Sequence, residues 1–166
     1  MHFAHLPAGY ITSKILFRRF HKTPAGYKLF MFCGMAGAIA PDFDILYDFL
    51  FDNSQGNHHE YFTHIPAFWL SLLLISLLWL LLDKHSSPSP SSAVVFTLGG
   101  FIHMILDTCT GPIFWLAPFS YTSYSWHSPN EYPWDVAYFV SWAFILELFI
   151  IWWAIFLFMK KKASSL

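Results

Sequence analysis

Two long apolar runs, residues 65–82 (IPAFWLSLLLISLLWLLL) and 136–159, limit this chain to structures that can be surrounded by hydrocarbon. A bilayer core of ~30 Å takes about 20 helical residues at ~1.5 Å each, and a helix satisfies its own backbone hydrogen bonds where no water can. Of the 166 residues, 56% are hydrophobic and only 11% charged, too little polar surface to cover a water-soluble domain. Three shorter apolar segments, broken by Gly, Pro or a polar residue, read as further helices of a packed bundle. The expected fold is all-α: a polytopic membrane bundle of about five helices, near residues 5–20, 26–40, 65–82, 93–108 and 135–159, forming one integral membrane domain over 1–166.

Cytoplasmic loops of membrane proteins are rich in Lys and Arg. If the chain starts outside and crosses five times, Lys14, Arg18, Arg19, Lys22 and Lys28 gather at the first inner turn, Lys84 at the second, and Lys160, Lys161 and Lys162 in the tail. Asp42, Asp44, Asp48, Asp52, Glu60, Asp107, Glu131 and Asp135 fall on the opposite side, leaving Asp83 inside and Glu147 within the last span. This partition predicts an outer N-terminus and a cytoplasmic C-terminus. The net charge of −1 offers nothing to nucleic acid; membrane lipids and a lipid-like substrate are the expected partners. No positive charge precedes the first apolar segment, so it reads as a retained helix and not as a signal peptide. An amphipathic helix lying in the interface is the alternative. The stretch DKHSSPSPSS at 83–92 reads as a short flexible connection. Glu147 is expected to pair with Lys14, or to sit protonated against a serine or a backbone carbonyl.

Within GGFIHMILD at 99–107, His103 and Asp107 lie one turn apart on one helix face. An ionisable group at mid-bilayer costs roughly 2.5–3.5 kcal/mol on the insertion scale, so the pair calls for a partner, and a metal ion serves both. The five-helix topology brings three more segments to the same outer level: His5 opens the first helix, PDFD at 41–44 ends the second, and HHEYFTH at 58–64 precedes the third. The candidate metal ligands are therefore His5, Asp42, Asp44, His59, His64, His103 and Asp107, with Asp107 or Asp44 also orienting an attacking water. Plainer roles exist: His103 as a strut between helices, Asp42 and Asp44 as helix caps, His58 in place of His59. Nitrogen and oxygen donors suit zinc, manganese or iron, with zinc first and one or two ions. A bound ion lowers the pKa of its water toward neutrality and supplies a hydroxide nucleophile, which is the chemistry of hydrolysis.

The outer loop 111–134 carries Trp115, Phe119, Tyr121, Tyr124, Trp126, Tyr132 and Trp134, an aromatic belt for the headgroup layer or a lid that admits an amphiphile. His127, Glu131 and Asp135 lie in or beside it as further candidates, and Thr63, Thr108 and Thr110 could hold a substrate through their hydroxyls.

Taken in order, HL at 5–6, PDFD at 41–44, HEYFTH at 59–64 and GGFIHMILDTCTGPIFWLAPF at 99–119 resemble the successive motifs of the YdjM-like family, inner-membrane proteins taken to be metal-dependent hydrolases, some under LexA control. A more distant similarity is to the helical zinc-dependent phospholipases C. The resemblance implies a zinc-type site on a small helical bundle in a bacterial or archaeal cell membrane, and cleavage of a phosphoester. Glu60 stands where the family has an arginine, which removes a phosphate-binding donor. The expected function is a membrane-embedded hydrolase acting on a lipid or lipid-linked phosphoester. The alternative is a non-catalytic metal-binding membrane protein with a structural or regulatory role.

Overall fold

Pro41 divides what would otherwise be one long second helix. A computed structural model describes residues 3–20, 26–51, 61–83, 87–126, 139 and 141–163 of the chain. Helix α1 (His5–Phe17) is followed by α2 (Tyr27–Ile39), where Pro41, lacking an N–H, cannot continue the ladder. The backbone passes through a run of tight i to i+3 bonds, Asp42 N to Ile39 O and Asp44 N to Pro41 O among them, into α3 (Phe43–Phe51), bent 50° from α2. A 3-10 turn at Phe62–His64 then leads into α4 (Pro66–Asp83), which opens on Pro66, where a missing N–H costs nothing. Helix α5 (Ser89–Thr108) and α6 (Trp142–Ala163) complete the set.

Each of the five expected segments carries a helix, and α3 adds a sixth among the described residues. Among the described residues, three helices are long and apolar enough to cross a membrane: Pro66–Asp83, Ser89–Thr108 and Trp142–Lys160. The bent pair α2 and α3 passes the same test only when taken together. The 13 residues of α1 cover only ~20 Å of a ~30 Å core. Of the stretch expected as a connection at 83–92, residues 88–92 belong to the start of α5: Pro88 and Pro90 sit where proline is tolerated, and the Ser91 and Ser92 hydroxyls donate back to Pro88 O. The segment is rich in Ser and Pro because it is a helix start.

Helix α5 is the centre of the bundle, in contact with α1, α2 and α4, while α6 packs on α1. Two glycines set its distances. A Cβ on Gly99 would fall 2.7 Å from Ala38 N and 2.7 Å from Gly34 O, so only glycine lets α5 lie directly on the α2 backbone. On the other side, a Cβ on Gly100 would fall 2.1 Å from the ring of Trp69, which packs across α5. The outward faces of α4 and α6 present Leu74, Leu81, Leu82, Ile145 and Trp152, apolar side chains suited to lipid.

Glu147 does not meet Lys14. Its Oε1 accepts the backbone N–H groups of Phe3 and Ala4, the latter at 2.8 Å, at the start of α1. Lys14 instead donates to Tyr10 Oη at 2.9 Å and to Leu157 O, with its ammonium 5.2 Å from the Tyr10 ring centroid. Both expected placements of Glu147 are thus corrected. The start of α1 lacks a local cap and takes the carboxylate, while Lys14 is held by Tyr10 on its own helix and by Leu157 O on α6.

Candidate metal centre

Three elements deliver four polar side chains to one point. The α2–α3 elbow supplies Asp42, the 3-10 turn supplies His64, and α5 supplies His103 and Asp107; one ligand atom from each lies within 4.8 Å of the others. His103 Nε2 lies 2.9 Å from Asp107 Oδ2 and 3.4 Å from Asp42 Oδ1. His64 Nε2 lies 3.6 Å and 4.0 Å from the same two oxygens. Ligands ~2.0 Å from a tetrahedral ion are ~3.3 Å apart, and these four separations scatter around that edge length.

The second nitrogen of each ring tests whether an ion fits. His103 Nδ1 lies 2.8 Å from Ala38 O, and a carbonyl can only accept, so His103 donates from Nδ1 and its neutral ring has a lone pair on Nε2. That Nε2 makes no hydrogen bond among the described residues although a carboxylate oxygen is 2.9 Å away. Two electron-rich atoms so close in a buried place are relieved by a proton on Nε2 or by a bound cation, and a divalent ion would serve both imidazoles and both carboxylates at once. His64 repeats the device: its Nδ1 lies 2.5 Å from Asp44 Oδ2, which turns Nε2 toward Asp42 and Asp107. Burial lowers the pKa of His64, but the nearby carboxylates of Asp107 and Asp44 outweigh that and raise it above the ordinary histidine value. The donor set fits a divalent ion such as zinc, manganese or iron.

Of the expected ligands, Asp42, His64, His103 and Asp107 come together. Asp44 stands behind His64, where it also accepts from Thr63 Oγ1 at 2.5 Å, so it orients a ligand. His5 lies beside the group, with Nε2 3.1 Å from Asp107 Oδ1 and its ring stacked on His103 at a centroid distance of 3.7 Å. His59 falls outside the described residues, as do His58, His127, Glu131 and Asp135. Of the three threonines considered for substrate, Thr63 serves Asp44, Thr108 donates to Met104 O and accepts from Trp115 Nε1 at 2.9 Å, and Thr110 donates to Asp107 O at 3.3 Å. The Ala38 carbonyl and the Trp69 indole, which donates to Thr63 O at 2.7 Å and holds the 3-10 turn on α4, have no signature in a sequence.

Apolar helices of membrane length around a buried cluster of imidazoles and carboxylates define an integral membrane protein with a candidate metal centre. The family model of the YdjM inner membrane protein matches residues 1–164, and the chain belongs to that family. Comparison with curated proteins and with solved structures gave no match.

Proposed function

We propose that the chain is a metal-dependent hydrolase that cleaves a phosphoester of a lipid or lipid-linked substrate at the outer membrane face, with its N-terminus outside and its C-terminus in the cytoplasm. The observation that carries this reading is the uneven burial of the four ligands. The side chains of His64, His103 and Asp107 are 0–6% exposed, whereas that of Asp42 is 35% exposed and its oxygen is the most loosely placed. Four protein ligands complete a tetrahedral ion, so a water or a phosphoryl oxygen would reach it past the exposed Asp42, as its replacement or as a fifth ligand, whereas a purely structural site is closed on every side. Asp42, His64, His103 and Asp107 would hold a divalent ion, zinc in first place, which would supply an activated water and a Lewis acid for a phosphoryl oxygen. His64 and His103 present Nε2 through their bonds to Asp44 and Ala38. Asp107 turns Oδ2 into the group while His5 holds Oδ1, and Asp42 stands at the mouth.

The surroundings of the mouth favour an amphiphile. Phe43, next to Asp42, is 65% exposed, and Tyr47, Leu50 and Phe51 continue an apolar outer face on α3 whose inner face carries Asp44 and Asp48. The loop that hangs from Thr108 by Trp126 N exposes Leu116 and Phe119, the latter 96% exposed. An acyl chain would meet the exposed Phe43 within one residue of a candidate ligand. The test is metal analysis of detergent-purified protein with a screen of lipid phosphoesters, wild type against Asp107→Asn. Turnover by the wild type and loss of both metal and turnover in the variant are expected. Stoichiometric metal with no turnover on any phosphoester favours the structural or regulatory reading instead.

A further inference from the structure

Helix α1 begins without a cap of its own. Its N-cap is Ala4, which has no side-chain acceptor, and no acid lies in the first turn, so the amides at the positive end of the helix need an acceptor from elsewhere. Glu147 provides it from α6, some 143 residues along the chain. It is 1% exposed, and its Oε1 accepts from both Phe3 N and Ala4 N. The next residue after that capped pair is His5. His5 donates from Nε2 to Asp107 Oδ1 at 3.1 Å, and its ring lies on His103 at an angle of 14°. With Oδ1 so engaged, Asp107 keeps Oδ2 toward His64 and His103.

We infer that Glu147 is a positioning residue of the metal centre, acting through the start of α1 and through His5 on the rotation of Asp107. The inference rests on the proposed metal site and goes beyond it, because Glu147 is not one of the four ligands and its oxygen bonds to the backbone of Phe3 and Ala4. What Glu147 does depends on where its oxygen is, not on its charge: an amide oxygen in the same place accepts the same two N–H groups, and a shorter carboxylate does not reach them.

Zinc affinity of the full-length protein in detergent, measured by competition with a chromophoric chelator, separates the possibilities. Outer-sphere partners of metal ligands are worth about tenfold or more in affinity, so Glu147→Asp should bind zinc about tenfold more weakly while Glu147→Gln stays within about twofold of wild type. His5→Phe, which keeps the stacked ring and removes the nitrogen, should show the same weakening as Glu147→Asp. Adding Glu147→Asp to His5→Phe should then cost nothing further. The inference is overturned if Glu147→Asp binds as wild type, if Glu147→Gln is the weaker of the two, or if the His5 and Glu147 effects add in full. A wild type that takes up no zinc overturns the hydrolase reading and this inference together, whereas any of the other failures leaves the metal site standing.

Discussion

A histidine binds a divalent ion only through a nitrogen that carries no proton, so the contact made by the other nitrogen decides what the ring can do. Asp44 makes that contact for His64, and the Ala38 carbonyl makes it for His103. Asp44→Asn should therefore keep a hydrogen bond to His64 Nδ1 but lose its charge, and weaken zinc binding by about tenfold, against near-complete loss for Asp107→Asn; chelator competition measures both. Zinc and protons compete for the same Nε2 atoms, so affinity falls as the pH falls, and His64 enters that competition above the ordinary value of ~6.5 because its pKa is raised. In chelator-stripped protein the sign reverses. A raised histidine pKa contributes stability that is fully present below ~6.5 and lost as pH rises through the folded-state value. Thermal midpoints between pH 6 and 8 should fall for stripped protein and rise for zinc-loaded protein, and parallel trends would contradict this assignment. The spacing of His103 and Asp107 announced their shared face in the sequence, because four residues make one turn. The division of labour between Asp42 and Asp44 was not legible: both stand in one PDFD motif, and only the tight turn after Pro41 sends one to the ion and the other to the back of His64.

At the level of elements, what locates the site is how closely α5 lies against α2. The Cβ that Gly99→Ala adds would press on the Ala38 amide and the Gly34 carbonyl, backbone atoms that cannot move aside singly. The helices must part, which draws Ala38 O away from His103 Nδ1. Gly99→Ala should cost about 1–3 kcal/mol in denaturant unfolding in detergent and lower zinc affinity as well, though residue 99 touches no ligand. Equal stability and affinity in the variant would mean that the α2–α5 contact is looser than described. The helices themselves were legible wherever an apolar run was long, since burial in lipid leaves no other secondary structure open. The exceptions have a common cause. Helix α3 is nine residues after a proline, and α5 starts in a Ser-Pro repeat, so in both places residues typical of turns occupy helix beginnings, where the missing hydrogen bonds are tolerated.

For the whole molecule, the direction of α5 links the site to one side of the membrane. Its first residue, Ser89, is exposed, and its last, Thr108, holds the loop that carries Ser123, also exposed, so the two serines mark opposite ends of a 20-residue helix. The metal group lies near the Thr108 end, as His103 and Asp107 are on its last turns. Lys84 lies five residues before Ser89, and the remaining basic residues group near Arg18 and Lys160, whereas Asp42, Asp44 and Asp107 share the other end. The proposed orientation, which keeps basic loops in the cytoplasm, puts the Ser89 end inside and the site outside. A chain with Cys33 and Cys109 replaced by alanine should, in intact cells, be labelled by an impermeant maleimide at Ser123→Cys and not at Ser89→Cys, with both labelled once the cells are opened. The reverse pattern would turn the bundle over and place the metal centre in the cytoplasm. The substrate would then be sought among phosphoesters of the inner leaflet. It would also place the nine lysines and arginines on the outside, against the bias that retains such residues in the cytoplasm.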